Sequence, residues 1–329
     1  MLLLNAREVE RLADMPRLVA AVEAGVREQA AGQVVLPPRL NLPNGRGFFR
    51  LMPTVMNGSG IMGFKAFHGS VQDGVRYFIA IYKQASGVLL AMMDAHYLTA
   101  ARTGATTGVA TRFMAGRSAR RVAVIGSGLE ARTNLLGVCT VRDVERVTVF
   151  SPNRERRVAF AERMSQELKI EVRACDTPES CAGGADIVVV ATNTTGKGDG
   201  IAFRGAWARA GMHINAIGST MPKLREIDPD SFARAERIVI DCQTRQIEEE
   251  SGDIIDALAH GKYDRGRVIE LPEVVAGRAS GRTADDQITL FKSVGTAVQD
   301  VVCGYAVYQE ARRLGVGSEV PDFLELKTF

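Results

Sequence analysis

The chain has 329 residues, of which 46% are hydrophobic and 24% charged, and its formal net charge is +3. A chain of this length usually divides into two domains, and this composition is typical of a globular protein. The small net charge and the dispersed basic residues argue against a nucleic-acid partner. Charged residues follow the N-terminal leucines at once, so we expect neither a signal peptide nor a membrane span.

The five cysteines are scattered along the chain, without a C-x-x-C pair or a neighbouring histidine. Zinc sites and disulfide frameworks both need closer and more regular spacing. We therefore expect reduced thiols in a cytoplasmic protein that holds no metal.

The first part of the chain predicts two helices and then a β-rich segment. Apolar residues recur at helical spacing over residues 7–31, with an interruption at Pro16. Residues 34–42 are expected to be extended, because consecutive prolines exclude a helix. Asn-Gly, Asp-Gly and Ser-Gly turns separate the strands that follow. These strands are predicted at 48–52, 61–67, 76–83 and 88–93, and a helix rich in small residues is predicted at 97–115.

From Arg120 onward, apolar runs and helical patterns alternate. This alternation predicts a Rossmann-type, doubly wound parallel sheet in an α/β fold. Its strands are predicted at 122–125, 146–150, 170–174, 186–191, 212–217 and 237–241. The final amphipathic helix, 295–314, is expected to return to the first domain. The predicted domains are therefore 1–118 with 296–329, an α+β domain built from both chain ends, and 119–295, the dinucleotide-binding domain.

Gly126, Gly128 and Ala131 form a G-x-G-x-x-A motif between a predicted strand and the helical run 129–141. In this setting the glycines allow a tight turn and a close approach of the backbone to a pyrophosphate. The motif alone is a weak signal, but a strand before it and a helix after it are the required context. It predicts a dinucleotide site, and a glycine-rich turn without a ligand is the alternative.

The end of the second strand of this sheet decides between NAD and NADP. An NAD site usually places a carboxylate there, to bind the ribose 2′-hydroxyl. This chain has Ser151, Asn153 and Arg154 instead, with Arg156 and Arg157 close behind. Hydroxyl, amide and guanidinium groups suit a 2′-phosphate, so NADP is favoured over NAD. The arginines could also form only the exposed first turn of a helix.

Five sequence blocks resemble the ornithine cyclodeaminase/mu-crystallin family. They are LTAARTGA at 98–105, VIGSG at 124–128, HINAIG at 213–218, ESGD at 250–253 and LFKSVG at 290–295. The blocks occur in the family's order and spacing, so the resemblance covers nearly the whole chain. It implies a homodimer whose β-rich substrate domains pair across the interface, with the active site between that domain and the Rossmann domain. Its members include cyclodeaminases, amino-acid dehydrogenases, ketimine reductases and a hormone-binding crystallin.

The resemblance also implies three cations for the carboxylate of an α-imino or α-amino acid, which needs fixed positive charges. They are Arg39, Lys65 and Arg102, and the last two are the catalytic candidates. Strand alternation places Lys65 and Phe67 on one face. The alternatives are a solvated loop charge for Arg39, a snorkelling edge side chain for Lys65 and a surface salt bridge for Arg102.

The remaining site residues follow from the motif, the strand ends and the resemblance. The cofactor is expected to contact Arg102, Gly126, Ser127, Gly128, Leu129, Glu130, Ala131, Ser151, Asn153, Arg154, Thr192, Ala216, Gly218 and Ser293. Thr220 and Val294 are expected to line the substrate site.

Thr220 determines the predicted subclass. It stands where cyclodeaminases of the family carry an aspartate, and a threonine hydroxyl is no base near neutral pH. The nearest carboxylates, Glu226 and Asp228, are not expected to reach the site. The sequence therefore predicts an NAD(P)H-dependent reductase of cyclic or acyclic α-imino acids, which in reverse is an amino-acid dehydrogenase. The alternatives are an ornithine cyclodeaminase and a non-catalytic, NADPH-binding protein like mu-crystallin.

Overall fold

The computed structural model describes residues 1–45, 47–70, 73–194, 198–321 and 323–327. The chain divides into two compact units, Met1–Arg102 with Thr296–Phe329, and Thr103–Gly295. The first division falls at 102/103, inside a helix, whereas the sequence predicts 118/119. The predicted domains, 1–118 with 296–329 and 119–295, stay a prediction.

The N-terminal elements are two helices, a run of strands and a long helix. They are β1 (Leu2–Leu4), α1 (Ala6–Leu12), α2 (Met15–Ala30), β2 (Val34–Val35), β3 (Leu40–Asn44), β4 (Gly47–Met56), β5 (Ile61–Ser70), β6 (Gly74–Lys83), β7 (Leu89–Asp94) and α3 (His96–Met114). Asn5 caps α1 in a capping box, and Asp14 caps α2 ahead of Pro16, which occupies a first-turn position where proline is tolerated.

The following elements alternate between strands and helices. They are β8 (Arg121–Ile125), α4 (Leu129–Val141), β9 (Arg146–Phe150), α5 (Arg154–Leu168), β10 (Glu171–Ala174), α6 (Pro178–Ala182), β11 (Ile187–Val190), β12 (His213–Ala216), α7 (Pro229–Arg234), β13 (Arg237–Ile240), α8 (Thr244–Glu250), α9 (Gly252–Ala259), β14 (Val268–Glu270), α10 (Leu271–Val275), β15 (Thr289–Lys292), α11 (Ala297–Leu314) and β16 (Ser318–Glu319). Short 3-10 turns lie at Gly205–Trp207 and Arg265–Arg267.

The first unit is built on a mainly antiparallel sheet in the order β16-β1-β7-β6-β5-β4-β2, with β3 also paired to β4. Helix α11 lies against one face, because a Cβ on Gly63 would be 3.3 Å from the Val301 side chain. The sequence did not predict β1, which pairs in parallel with β7. The opposite face carries half-buried Met62, Phe64 and Tyr82, by strand alternation.

The second unit contains an eight-stranded, fully parallel sheet in the order β10-β9-β8-β11-β12-β15-β13-β14. Successive residues of β11 enter two different cores, with Val188 on one side of the sheet and Val189 on the other. Burial on both faces explains why β11, with the sequence IVVV, is apolar throughout. The α/β fold class and the predicted doubly wound sheet are thus confirmed.

One central strand was missed. β15 lies between β12 and β13, and the sequence analysis treated its residues as part of a motif and not as a strand. A four-residue strand in which only Leu290 and Phe291 are apolar carries too little periodicity to be assigned. Because all strands are parallel, their carboxyl ends lie along one edge of the sheet, and β15 adds its own end to that edge.

Small residues allow two helices of the second unit to touch backbone to backbone. A Cβ on Gly104 in α3 would lie 2.1 Å from the Thr133 carbonyl oxygen of α4, and a Cβ on Gly137 would lie 1.9 Å from the Gly104 oxygen. Neither position admits a side chain. In the described ranges no helix combines the length and apolar composition needed to cross a membrane.

Candidate active site

A buried cluster of charges lies at the centre of the first unit. Lys65 on β5 and Arg102 on α3 both approach one oxygen of Asp300 on α11: Lys65 Nζ is 2.8 Å from Asp300 Oδ1, and Arg102 Nε is 2.9 Å from it. The Arg102 guanidinium also donates to Gln299 Oε1 at 2.9 Å. The side chains of Lys65, Arg102 and Asp300 are 2%, 8% and 0% exposed. One carboxylate oxygen therefore fixes both cations.

The surroundings of Lys65 move its protonation into the neutral range. Burial lowers the pKa of Lys65 to about 7, Asp300 opposes this shift, and the positive charges of Arg102 and Arg39 add to it. Arg39, which follows two prolines, is only 9% exposed. The ammonium of Lys65 can therefore hold or release a proton near neutral pH.

The structure brings together the three predicted cations of the first unit. All three are buried, which rules out the solvent-exposed alternative for each of them. Lys65 does not snorkel to solvent, Arg102 forms no surface pair, and Arg39 is no solvated loop charge. Lys65 Nζ also lies 5.3 Å from the centre of the Phe67 ring, on the face that strand alternation predicts.

Asp300 and Gln299 were missed by the sequence analysis. The signal was present, since a carboxylate stands within an apolar stretch of the helix between Val298 and Val301. A fully buried aspartate needs a partner of opposite charge, so this position could have been paired with the predicted cations.

The glycine motif of the second unit forms the turn that a dinucleotide site needs. Gly126 has φ +128°, and a Cβ there would lie 2.2 Å from the Ala191 carbonyl oxygen, so the position requires glycine. A Cβ on Gly128 would meet no described atom within 4 Å. Gly128 precedes α4, whose first residues are Leu129 and Glu130, and buried Ala131 permits close packing. Open space before a helix N-terminus fits a pyrophosphate.

The residues predicted to choose between NAD and NADP lie next to this turn. Ser151 Oγ, directly after β9, is 2.8 Å from Ser127 Oγ. Asn153 caps α5, because its Oδ1 accepts from the Arg156 backbone at 2.8 Å. Arg154 is exposed.

Arg157 turns inward and does not offer a free guanidinium. It donates to the Ser151 carbonyl oxygen at 3.2 Å and to Asp176 Oδ1 at 2.8 Å. This side chain thus holds the end of β9 in place, and the exposed guanidinium groups of this helix turn are those of Arg154 and Arg156.

Glu226 lies closer to the predicted site than the sequence indicates, because it contacts two of the residues predicted to bind the cofactor. Its side chain accepts from Gly218 N at 2.6 Å and from both Thr192 N and Thr192 Oγ1 at 3.3 Å. The chain between Gly218 and Glu226 folds back across the strand ends, which sequence separation alone does not reveal. Asp228 does lie elsewhere, as the N-cap of α7. Thr220 is half-buried in the loop after β12.

The other residues predicted at the carboxyl edge of the parallel sheet are buried or already hydrogen-bonded within the protein. Ala216 and Val294 are buried in an apolar core, so Ala216 can offer a ligand only its backbone. Ser293 Oγ donates to Asp241 Oδ2 at 2.6 Å, and the same oxygen accepts from Gly295 N at 2.9 Å. Asp241, after β13, therefore fixes the segment 293–295 and is a further residue that the sequence analysis missed.

No group of three or more histidine, cysteine, aspartate or glutamate side chains in the described ranges is arranged to hold a metal ion.

The model of the ornithine cyclodeaminase/mu-crystallin family matches residues 1–314. This chain belongs to that family. Family relatives of similar length cover it almost completely. It is 28% identical to a Delta(1)-pyrroline-2-carboxylate reductase of Bacillus cereus, over 97% of this chain and 99% of the relative.

Two solved structures of the family match this chain closely. The Delta(1)-pyrroline-2-carboxylate reductase of Thermococcus litoralis, in complex with NADH and L-proline, is 33% identical, with a TM-score of 0.90, over 97% of this chain and 100% of that one. An archaeal alanine dehydrogenase dimer with bound NAD is 29% identical, with a TM-score of 0.89, over 98% and 99%. The predicted family membership is thus confirmed, and relatives of this family bind a nicotinamide cofactor.

Proposed function

We propose that this protein is an NAD(P)H-dependent reductase of α-imino acids, such as pyrroline- or piperideine-2-carboxylate or an acyclic imine, and in reverse an amino-acid dehydrogenase. The observation that carries the proposal is the buried meeting of Lys65 and Arg102 on Asp300, with Arg39 adding positive charge. A family member that only binds a dinucleotide has no need of this costly arrangement.

The cations bind and orient the substrate. The Arg102 fork and the Lys65 ammonium attract the substrate carboxylate, and Arg39 adds a third positive charge. Lys65 and Arg102 share the single carboxylate of Asp300, and two cations around one carboxylate suit an anionic ligand. Thr220 and Val294 are the proposed contacts to the rest of the substrate. Fixing the carboxylate orients the imine carbon beside it.

Lys65 is the proposed proton donor. An imine accepts hydride most readily once its nitrogen is protonated, and an amine with a pKa of about 7 can supply that proton at Nζ near neutral pH. Asp300 then stabilises the ammonium when Lys65 regains a proton. A bound reduced nicotinamide supplies the hydride for this reaction.

The cofactor is proposed to lie along the strand ends of the second unit. Backbone groups from Gly126 to Ala131 would bind the pyrophosphate, and Thr192, Ala216, Gly218 and Ser293 would surround the nicotinamide half, with Arg102 as a further contact. NADP is preferred over NAD in this proposal, because Ser151, Asn153 and exposed Arg154 present no carboxylate to a 2′-phosphate.

Ornithine cyclodeamination is the less favoured function. Thr220 replaces the aspartate that would move the proton in that reaction, and the carboxylate of Glu226 is already occupied by Gly218 and Thr192.

The protein is also proposed to be a cytoplasmic homodimer. Its five cysteines, all within the described ranges, are thiols and not disulfides, which suits a reducing compartment. The open face of the first sheet carries half-buried Met62, Phe64 and Tyr82, and an apolar patch of this kind indicates a protein interface.

The test measures the oxidation of NADPH and of NADH, which is monitored as the loss of reduced-nicotinamide absorbance. The substrates are pyrroline-2-carboxylate, piperideine-2-carboxylate, and pyruvate or glyoxylate with ammonia. We expect oxidation with at least one imino acid, and faster oxidation of NADPH than of NADH. Tight NADPH binding without turnover on any substrate would instead support the binding-protein alternative, and proline formed from ornithine would support a cyclodeaminase.

A further inference from the structure

A buried ionic cluster joins strand ends of the second unit. It consists of Glu226, Lys292 and Asp253, whose side chains are at most 1% exposed. Lys292 Nζ, at the end of β15, lies 2.8 Å from Asp253 Oδ2 and 3.6 Å from Glu226 Oε1. Asp253 Oδ1 also accepts from the Glu226 backbone at 2.7 Å. Burying three charges costs more desolvation than a simple packing role would justify, so their placement calls for a functional explanation.

The carboxylate of Glu226 lies between two turns and holds both. Oε1 accepts from Gly218 N, after β12, and Oε2 accepts from the backbone and hydroxyl of Thr192, after β11. The fit is close, because a Cβ on Gly218 would lie 2.3 Å from Glu226 Oε2 and 2.4 Å from the Thr192 carbonyl oxygen. β11 and β12 pair as far as Val190 and Ala216, and beyond that pair the Glu226 carboxylate bridges the two turns.

We propose that Glu226 is a positioning residue for the nicotinamide half of the cofactor, acting by holding the Thr192 and Gly218 turns together. This inference rests on the proposed function, because it needs a dinucleotide at this edge of the sheet. The pyrophosphate would occupy the turn at Gly126–Ala131 and the adenosine ribose the end of β9. The turns after β11 and β12 are then left for the nicotinamide half.

The same geometry makes the position of these turns depend on pH. Burial raises the pKa of Glu226 to about 7, with Lys292 opposing and Asp253 adding to the shift. The charged groups that face it are Lys292 from β15 and Asp253 from α9, while Gly218 and Thr192 are uncharged. Protonation converts one acceptor oxygen of Glu226 into a donor, so either the Gly218 N–H or the Thr192 N–H then loses its acceptor.

The experiment compares two ligands that differ only in the nicotinamide half: NADPH and 2′-phospho-ADP-ribose, or NADH and ADP-ribose if wild type prefers NAD. Dissociation constants are measured by calorimetry for the wild-type protein above and below pH 7. Below Glu226's pKa of about 7, the Kd of the full cofactor should rise relative to that of the fragment. The phosphates are common to both ligands, so their own titration cancels in this ratio.

Two variants and a control extend the test. Glu226→Gln keeps the shape but provides one acceptor for two turns. It should raise the Kd of the full cofactor at least about fivefold while the fragment binds as in wild type. Lys292→Met removes the cation that lowers the Glu226 pKa, so the pH at which the ratio changes should rise. Glu248→Gln, which removes an ion pair with Arg265 elsewhere in this unit, should change neither Kd.

Equal weakening of both ligands in Glu226→Gln would overturn the inference, because it would indicate a general structural role. An unchanged Kd for both ligands, or a wild-type ratio that is flat with pH, would also overturn it. If the wild-type protein binds neither the full cofactor nor the fragment, the proposed function itself fails, and this outcome is distinct from the others. The wild-type pH series needs no variant, so the inference stays testable even if both variants fail to fold.

Discussion

At the scale of single residues, Lys65 illustrates how a fold changes the chemistry of a side chain. An exposed lysine is charged throughout the physiological range, but burial lowers the pKa of Lys65 to about 7. Asp300 keeps the ammonium form accessible, since its pairing with Lys65 offsets part of the desolvation cost.

Replacing Lys65 by methionine should lower kcat at least about a hundredfold, because it removes both a carboxylate ligand and the proton donor. The fold should persist, since Asp300 keeps its contact with Arg102. Steady-state kinetics and thermal unfolding check this together. Lys83→Met, at an exposed position at the end of β6, is the matched control and should keep wild-type kinetics. Near-normal turnover in Lys65→Met would remove Lys65 from the mechanism.

Asp300→Asn should move the alkaline limb of kcat/KM to lower pH. The negative charge of Asp300 raises the pKa of Lys65, so its loss makes the ammonium less stable and Lys65 deprotonates earlier. An opposite charge at this distance is worth roughly 1 to 3 pH units. The pH profile of kcat/KM, which reports the free enzyme, measures the shift. A limb that stays in place or moves to higher pH would contradict the assigned role of Asp300.

Ser151→Asp should shift the preference from NADPH toward NADH. A carboxylate at this strand end repels a 2′-phosphate and can accept from a 2′-hydroxyl, so the ratio of kcat/KM values should change at least about tenfold. Ser151→Ala is the control, because it removes the hydroxyl bonded to Ser127 without adding charge. An unchanged ratio in Ser151→Asp would refute the assignment of this position.

At the scale of elements, the two glycines of the turn between β8 and α4 have different roles, one in folding and one in ligand binding. Gly126 faces the Ala191 carbonyl at a distance that no Cβ can occupy, and its φ is positive. Gly128 has an ordinary φ of −95° and open space beside it. One glycine is therefore required by the protein backbone, and the other leaves room for a ligand.

Gly128→Ala should leave the melting temperature near the wild-type value and weaken NADPH binding at least about tenfold, because the added methyl group would occupy the ligand's space. Gly126→Ala should lower the melting temperature, since its Cβ would collide with backbone. Thermal unfolding and calorimetric titration measure both effects. Unimpaired binding in Gly128→Ala would show that no pyrophosphate lies at this turn.

At the scale of the whole molecule, the open face of the first sheet predicts how the chain associates. Phe64 lies 5.8 Å from Phe78 and 6.4 Å from Tyr82, ring centre to ring centre, so the aromatic side chains form a continuous half-buried patch. Continuous apolar surface of this kind favours association with a second copy.

Phe64→Glu should convert the proposed dimer to a monomer at micromolar concentration, because two copies of the carboxylate would be desolvated at the same interface. Light scattering coupled to size-exclusion chromatography measures the mass. Leu314→Glu, at a 50% exposed position at the end of α11, adds the same charge on the helix that lies against the other face of the sheet, and it should leave the mass unchanged. A Phe64→Glu protein that keeps the wild-type mass would locate the interface elsewhere.

The sequence by itself determined the parts of this protein that local pattern encodes. The glycine motif identified the turn at Gly126, and predicted strands such as 146–150 and the helix at 129–141 match the observed β9 and α4. Apolar runs between turns identify these elements, because strands and helices that are buried in the sheet's cores need apolar side chains. Conspicuous charges in apolar segments, Lys65 and Arg102, pointed to the cationic cluster.

Only the tertiary structure decided which distant residues act together. Asp300 lies 235 positions from Lys65 along the chain, and Glu226 reaches Thr192 across 34 positions. The position of β15 between β12 and β13 is likewise a matter of topology. Local pattern records the burial and conformation of a residue, but ion pairing across the chain depends on the three-dimensional path of the backbone. The pKa values of Lys65 and Glu226 follow from that path, because burial and neighbouring charges set them together.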